Sequence, residues 1–598
     1  MIASFIKKIS SFTYLNVTQF LGALNDNIYK LLVVYFFIQF EGVKYSHQIL
    51  AVTGAIFVVP FLLFSAISGT MADRFSKRDI IVLTKILELV IMGLAVCAFA
   101  FESKWGSYTI LFLLATQSAI FGPSKYGIVP ELVSSEKISK ANGLMTSFTF
   151  LAIILGTFLA SFLIQITERN FIICAIFCTF IALVGLYTSF CIELTPPSGS
   201  EKKFQVFFLR EIFQTLSLAR KEISLLPAMC GSAFFLFVGA FMQLNIIPFA
   251  IQSLALSDIQ GGYLFFLTAL GIGTGSLLAG KISGRIVELG LVPFGALGIA
   301  ASLFLLDFFS HDLYAVIWFV TLVGVCGGIF EIPLDSYIQV ASPRQSRGQM
   351  IAATNFLSFI GVLFASGLIY LNSEVLGIES DKGFTIIGLL TVVVMIAFTF
   401  QFFDYLTRFI GSILSRIHFK IHFAGQNNIP DCPALYVCTH TAWNDTLLLL
   451  GSQRRRMRFF IEQEQEHSSW MRWLYHLLRV VFVPDIEPLV KQKKCLEAIQ
   501  NTLKKGISVC VFIESWDIYT EVEKLHQVSP FNQILEEANY PIIPVRIQKG
   551  IRQSKYPFLQ QFLKKIRIPA SVSFGNLIYI GQEDLLSQRH EHELIFEE

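Results

Sequence analysis

The chain is 598 residues long, 54% hydrophobic and only 15% charged, with a mean hydropathy of +0.62. A soluble protein of this length needs far more charge to cover its surface, so the composition excludes an ordinary soluble globule. A net charge of +3 offers no basic excess for nucleic acid, and no pair among the ten cysteines has C-x-x-C spacing. No secretory cleavage signal is expected, so the cysteines read as apolar packing residues, with no metal site.

About twenty apolar residues in a row span a bilayer. About twelve such runs precede residue 405, near 14–38, 48–70, 79–101, 107–130, 143–165, 170–193, 225–252, 260–280, 288–307, 312–336, 350–371 and 383–404. A polar connector from Thr195 to Glu222 separates the sixth from the seventh. Six helices, a basic connector and six more helices make the two-halves plan of secondary transporters. Basic residues concentrate in alternate loops: Lys7 and Lys8, Arg74, Lys77 and Arg78, Lys137 and Lys140, the connector, Lys281 and Arg285, Arg344 and Arg347. The other loops hold only Lys44, Lys104, Arg169 and Lys382. By the positive-inside rule both termini are expected in the cytoplasm.

Composition changes after the last run. Short β-branched stretches at 434–438, 507–513, 541–547 and 572–580 alternate with amphipathic ones, as in an α/β domain. The expected division is therefore a twelve-helix, all-α membrane domain over 1–405 and a cytoplasmic α/β domain over 406–598.

In the membrane half, Asn25-Asp26-Asn27 puts a carboxylate inside the first span. This is costly unless a cavity or partner receives it, and it marks a transport-site candidate. Lys125 and Glu131 border a Gly122-Pro123 segment where a helix break is expected; Lys125 either meets a lipid phosphate or snorkels to the surface. Glu331 is read as lining the cavity, and Asp335 as pairing with Arg344 and Arg347. Gly69-Thr-Met-Ala-Asp73-Arg74-Phe-Ser-Lys77-Arg78 resembles the signature of the major facilitator superfamily. There Gly69 permits close helix approach, while Asp73, Arg74 and Arg78 belong to a gate. The stretches 122–132 and 140–143, with 333–339 and 342–348, resemble the bacterial lysophospholipid transporter branch of that superfamily. This implies inward flipping of lysophosphatidylethanolamine and related single-chain lipids.

In the second half, His440-Thr-Ala-Trp-Asn-Asp445 follows an apolar strand. A hydroxyl attacking a thioester needs a base near neutral pH, and a carboxylate on the other ring nitrogen fixes its tautomer. H-x-x-x-x-D in this setting is similar to the signature of glycerolipid acyltransferases, with His440 as base and Asp445 orienting it. Trp470 to Trp473 with Phe482 to Pro484, and Tyr540 to Arg546, resemble further blocks of the 2-acylglycerophosphoethanolamine acyltransferase family. That resemblance brings Glu514, Arg472 and Pro544 into the expected site. The third block departs from the pattern: Phe512-Ile-Glu514-Ser-Trp-Asp517 keeps the glutamate but lacks the family's proline, glycine and arginine. Arg454, Arg455, Arg456 and Arg458 are candidate replacements for the phosphate contact. The co-substrate implied is acyl-carrier protein or acyl-CoA, with no tightly bound cofactor. Two rivals stand beside this reading: a transporter with a non-catalytic lipid- or carrier-binding domain, and a lysophosphatidate acyltransferase fused to a solute exporter.

Overall fold

The computed structural model describes residues 10–202, 204, 207–222, 224–284, 286–430, 432–439, 444–452, 456–462, 481–483, 489–513, 540–549 and 568–578. The chain forms two compact units, Met1–Gln401 and Phe402–Glu598.

The first unit is helical. Its first half contains α1 (Ser11–Glu41), α2 (Ser46–Arg74), α3 (Lys77–Ala100), α4 (Lys104–Gly127), α5 (Ile138–Ile166) and α6 (Phe171–Phe190). A connector helix, α7 (Phe208–Ala219), precedes the second half. That half contains α8 (Leu225–Leu254), α9 (Asp258–Ser283), α10 (Leu291–Phe308), α11 (Leu313–Ala341), α12 (Arg347–Tyr370) and α13 (Ser380–Gln401). Local sequence explains many starts. Ser10, Ser76, Ser103, Asn170 and Asp312 each cap an N-terminus by accepting a backbone N–H, and Ser257 forms a capping box with Gln260.

Eleven of these helices are long and apolar enough to cross a membrane. The remaining long one, α4, carries Gln117, Ser118, Ser124 and Lys125 and completes the twelve expected spans. The break expected at Gly122-Pro123 does not occur, because α4 runs through Pro123 to Gly127. Proline inside a spanning helix is tolerated where neighbouring groups or local adjustment re-satisfy the freed carbonyl, and Pro60, Pro248 and Pro333 are also intrahelical. The connector, expected to be merely polar, holds α7, whose buried face includes Glu211, Ile212, Thr215 and Ala219.

Small residues decide the helix packing. Gly271 and Gly275 on α9 face Gly324 and Gly328 on α11, each pair spaced by four. A Cβ on Gly271 would lie 3.1 Å from the Gly324 Cα, so the two backbones are in contact. Dispersion and shape drive association in lipid, where no hydrophobic effect operates between helices.

The second unit begins with α14 (Phe403–His418) and holds a seven-stranded sheet. Its strands are β1 (Phe419–Ala424), β2 (Leu435–Thr439), β3 (Met457–Glu462), β4 (Val481–Val483), β5 (Ser508–Ile513), β6 (Ile542–Lys549) and β7 (Ile568–Phe574), in the order β1-β7-β6-β2-β5-β3-β4. Only β6 and β7 pair antiparallel. Helices α15 (Asn444–Ser452) and α16 (Leu489–Lys504) lie on the crossovers. Tyr436, Cys438, Leu448, Phe459, Val545 and Val572 form its core, as near-continuous apolar strands of a parallel sheet require. The four expected strands appear; the last begins at Ile568, four residues before the stretch read from sequence.

Candidate functional site

Chain direction puts the ends of α2, α4, α6, α9, α11 and α13 on the face where α1 begins, which also carries the basic loops. Hydrogen bonds link the two halves at this basic face. Asp73, at the end of α2, accepts from the backbone N–H of Gly348 at 2.6 Å and of Gln349 at 3.0 Å, at the start of α12. Gly69 makes this approach possible, since a Cβ there would lie 2.7 Å from the Ala352 Cβ. Thr70 donates to Glu211 of α7 and accepts from Gln349, while Lys202 reaches the same Gln349 at 2.8 Å. In the second lock, Asn142 donates to Ser336 at 3.0 Å and to Gln339 at 3.1 Å, and Gln339 donates back at 3.0 Å. The bundle is therefore closed at its basic face.

The other signature residues brace this lock. Arg78 donates to the carbonyls of Phe190 and Ile192 at the end of α6, and Arg74 lies over the Phe204 ring at 5.1 Å. Lys77 is buried and bonds Glu131 at 2.6 Å and Ser198 at 2.7 Å. Glu131, expected in the transport site, is thus occupied at the basic face. A lysine buried among apolar side chains needs that carboxylate.

Asp26 sits deeper, on α1. Its Oδ2 accepts from Ser118 of α4 at 2.7 Å, and its buried Oδ1 has no hydrogen-bond partner. Lys30, Lys85, Glu88 and Lys125 lie within electrostatic reach of it. Lys125 approaches Gln19 Oε1 at 3.5 Å and lies over the Tyr126 ring at 4.8 Å, so its amine points inward and does not snorkel. The flanking asparagines have other tasks: Asn25 donates to Glu88 at 3.2 Å, and Asn27 to the Ala23 carbonyl of its own helix. Sequence reading missed Lys85 and Glu88, although charged residues inside the apolar run of α3 were a legible signal. They form a pair at 2.6 Å with side chains 1% and 2% exposed. Breaking one partner leaves an uncompensated charge, so Lys85→Met should cost roughly 3–5 kcal/mol. Thermal unfolding in detergent checks this, with Lys85→Met/Glu88→Leu expected to regain part of the loss.

Facing them from the second half, Ser232 of α8 lies 2.6 Å from Glu331 Oε1 and 3.3 Å from Asp335 Oδ1, both on α11. Asp335 therefore does not pair with Arg344 or Arg347. Residues four apart share one helix face, which turns Asp335 towards the bundle with Glu331 and away from the basic loop. Glu331 is 6% exposed and its Oε2 lacks a partner.

In the second unit, β2 lies between β5 and β6, and Thr439 is the register partner of Ile513. The two motifs begin immediately after these residues. His440, Glu514, Arg454, Arg455 and Arg472 lie outside the described residues. Asp445 lies in the first turn of α15, without a described side chain. Ligands in open parallel sheets bind beyond the carboxyl ends of the strands, the edge where Thr439 and Ile513 stand. Two expected substrate residues are elsewhere. Arg456 precedes β3, next to Ser508 at the start of β5, hence at the opposite edge, and its guanidinium lies 5.1 Å over Tyr405. Pro544 is buried mid-strand opposite Val437, in the core and not at the edge. Strand direction decides both cases. Arg458 lies 3.9 Å from Asp404.

Comparison with known proteins gives this architecture its family. The family model described as Major Facilitator Superfamily matches residues 15–366, more than half of the chain, and the model described as Acyltransferase matches residues 420–548. The chain belongs to the major facilitator superfamily and carries an acyltransferase-family domain after its membrane half. It is 27% identical over 358 residues to the lysophospholipid transporter LplT of Citrobacter koseri, covering 58% of this chain and 85% of that protein. The same transporter from Escherichia coli O1:K1 / APEC is 26% identical, with 59% and 86% covered. Among solved structures, the human organic anion transporter MFSD10 aligns with a TM-score of 0.54 at 15% identity, over 65% of this chain and 99% of that one. The Escherichia coli fucose:proton symporter FucP aligns equally well, at 13% identity over 65% and 98%. At these identities the structural likeness concerns the fold alone.

Proposed function

We propose that the membrane half carries a single-chain phospholipid to the cytoplasmic leaflet and that the second domain re-acylates it there from an acyl thioester. The observation that carries the transport reading is the opposed pair Asp26 and Lys125 inside the bundle, with Asp26 Oδ1 unpartnered. A phosphoethanolamine headgroup bears an ammonium and a phosphate, which complement a carboxylate and an amine respectively. The likeness to lysophospholipid transporters over 58% of the chain supports the same reading. Basic residues on the locked face support cytoplasmic termini in an inner membrane.

For the second domain, His440 is the base that takes the proton of the glycerol hydroxyl as it attacks the thioester carbonyl, and Asp445 orients the ring. The thiol of acyl-carrier protein or coenzyme A leaves. No tightly bound cofactor enters this scheme. Covalent linkage keeps the delivered lysolipid near the acylating site, which raises its effective concentration. Purified protein in liposomes containing radiolabelled lysophosphatidylethanolamine, supplied with palmitoyl-loaded acyl-carrier protein or palmitoyl-CoA, tests the whole. Flipping with formation of diacyl lipid is expected. Flipping without product from either donor would reduce the domain to a binding module, and a preference for lysophosphatidate would separate the two halves functionally.

A further inference from the structure

Helix α14 carries an apolar face that no described part of the second unit covers. Ile410, Ile413, Leu414 and Ile417 are 37%, 41%, 47% and 63% exposed, at the i, i+3, i+4 and i+7 positions of one stripe. Together these four side chains span an arc about 100° wide on a helical projection.

The rest of the helix is committed to the domain. Gly411 packs on Leu450 of α15, and Gly451 packs on the buried Ser415. Asp404 faces Arg458 of β3, and Tyr405 lies under Arg456. The helix is therefore fixed to the sheet by one side and presents the other as a finished surface. Exposed Arg416 and Lys420 stand at the far end of the stripe.

Chain continuity identifies the occupant. The last membrane span ends at Gln401 and α14 begins at Phe403, so one residue separates them. The two peptide links from Gln401 to Phe403 reach at most about 7 Å, which puts the start of α14 at the membrane boundary whatever direction the helix then takes. A helix there with a continuous apolar stripe, a mostly polar remainder and cations beside it has the properties of one lying in the headgroup region. Arginine and lysine at its end match anionic headgroups.

We infer that α14 is an interfacial membrane-binding helix, whose stripe enters the acyl boundary of the leaflet at which the last span ends and holds the acyltransferase domain against that leaflet. A lipid bilayer is the partner of this surface. The inference rests on the membrane character of the bundle and is independent of whether the domain acylates anything.

The test places the photoreactive residue benzoylphenylalanine singly at Ile413, Ile417 or Glu497 of the full chain, in liposomes of phosphatidylethanolamine and phosphatidylglycerol. Glu497 is an exposed position of α16. After irradiation, lipid adducts are counted by mass spectrometry. Ile413 and Ile417 should give at least about fivefold more lipid adduct than Glu497, as expected of side chains sunk ~5–10 Å into the headgroup boundary. Equal yields at all three positions would overturn the inference. So would a cross-linked dimer band, which assigns the stripe to a second copy, or an adduct to the chain's own residues. Because cross-linking reads no turnover, an inactive domain leaves the result interpretable.

Discussion

His440→Ala is expected to lower acyl transfer about 10²–10⁴-fold, the range for removing a positioned general base, while lysolipid flipping continues unchanged. The separation follows from the two-unit organisation: His440 belongs to 402–598, and the Asp26 and Lys125 side chains belong to 1–401. Asp445→Asn should produce a smaller loss, because the ring stays but its tautomer is no longer fixed. Diacyl product from radiolabelled lysolipid and flipping measured in the same liposomes check both at once. If product formation survives in His440→Ala, the base is elsewhere and the thioester reading of this motif fails.

Asp73→Asn should release the lock at the basic face. The carboxylate accepts two backbone N–H groups across the halves, at 2.6 Å and 3.0 Å, in a fully buried position. An amide offers one acceptor oxygen, and its NH2 then faces the second N–H donor. Hydrogen bonds to charged groups contribute about 1.5–3 kcal/mol each, so losing one and straining the other moves the equilibrium between closed and open basic face by roughly 10²-fold. Hydrogen–deuterium exchange of peptides covering 66–76 and 344–352 in nanodiscs should accelerate in proportion, and uptake from the outer leaflet should fall. Exchange identical to wild type would mean that Gly69 packing and the Asn142–Gln339 pair hold the face closed without Asp73.

Much of the fold was legible because its rules are local. A spanning helix satisfies its backbone within itself, so twenty apolar residues announce it without reference to neighbours, and a buried parallel strand announces itself as a short β-branched run. The amphipathic helix α7 was legible too, through Leu209, Ile212, Phe213 and Leu216, yet its polar surroundings concealed it. Candidate sites divided differently. Asp26 and Lys125 stood out as charges in apolar runs, and the structure brings them within electrostatic reach of each other. Glu131 stood out equally, but its partner Lys77 lies fifty-four positions earlier in the chain.

By itself, the sequence determined that this protein spans a membrane repeatedly, in two halves, and continues into an α/β domain bearing a His–Asp motif. Composition and periodicity suffice for that, since burial in lipid or in a sheet acts on each segment separately. Tertiary structure decided which polar residues share a site. It turned Asp335 to Ser232, gave Asn25 to Glu88, closed Asp73 on Gly348, and sent Arg456 to the opposite sheet edge from Thr439. Pairings of this kind depend on distances between residues remote in the chain, and those distances exist only once helix packing and strand direction are set.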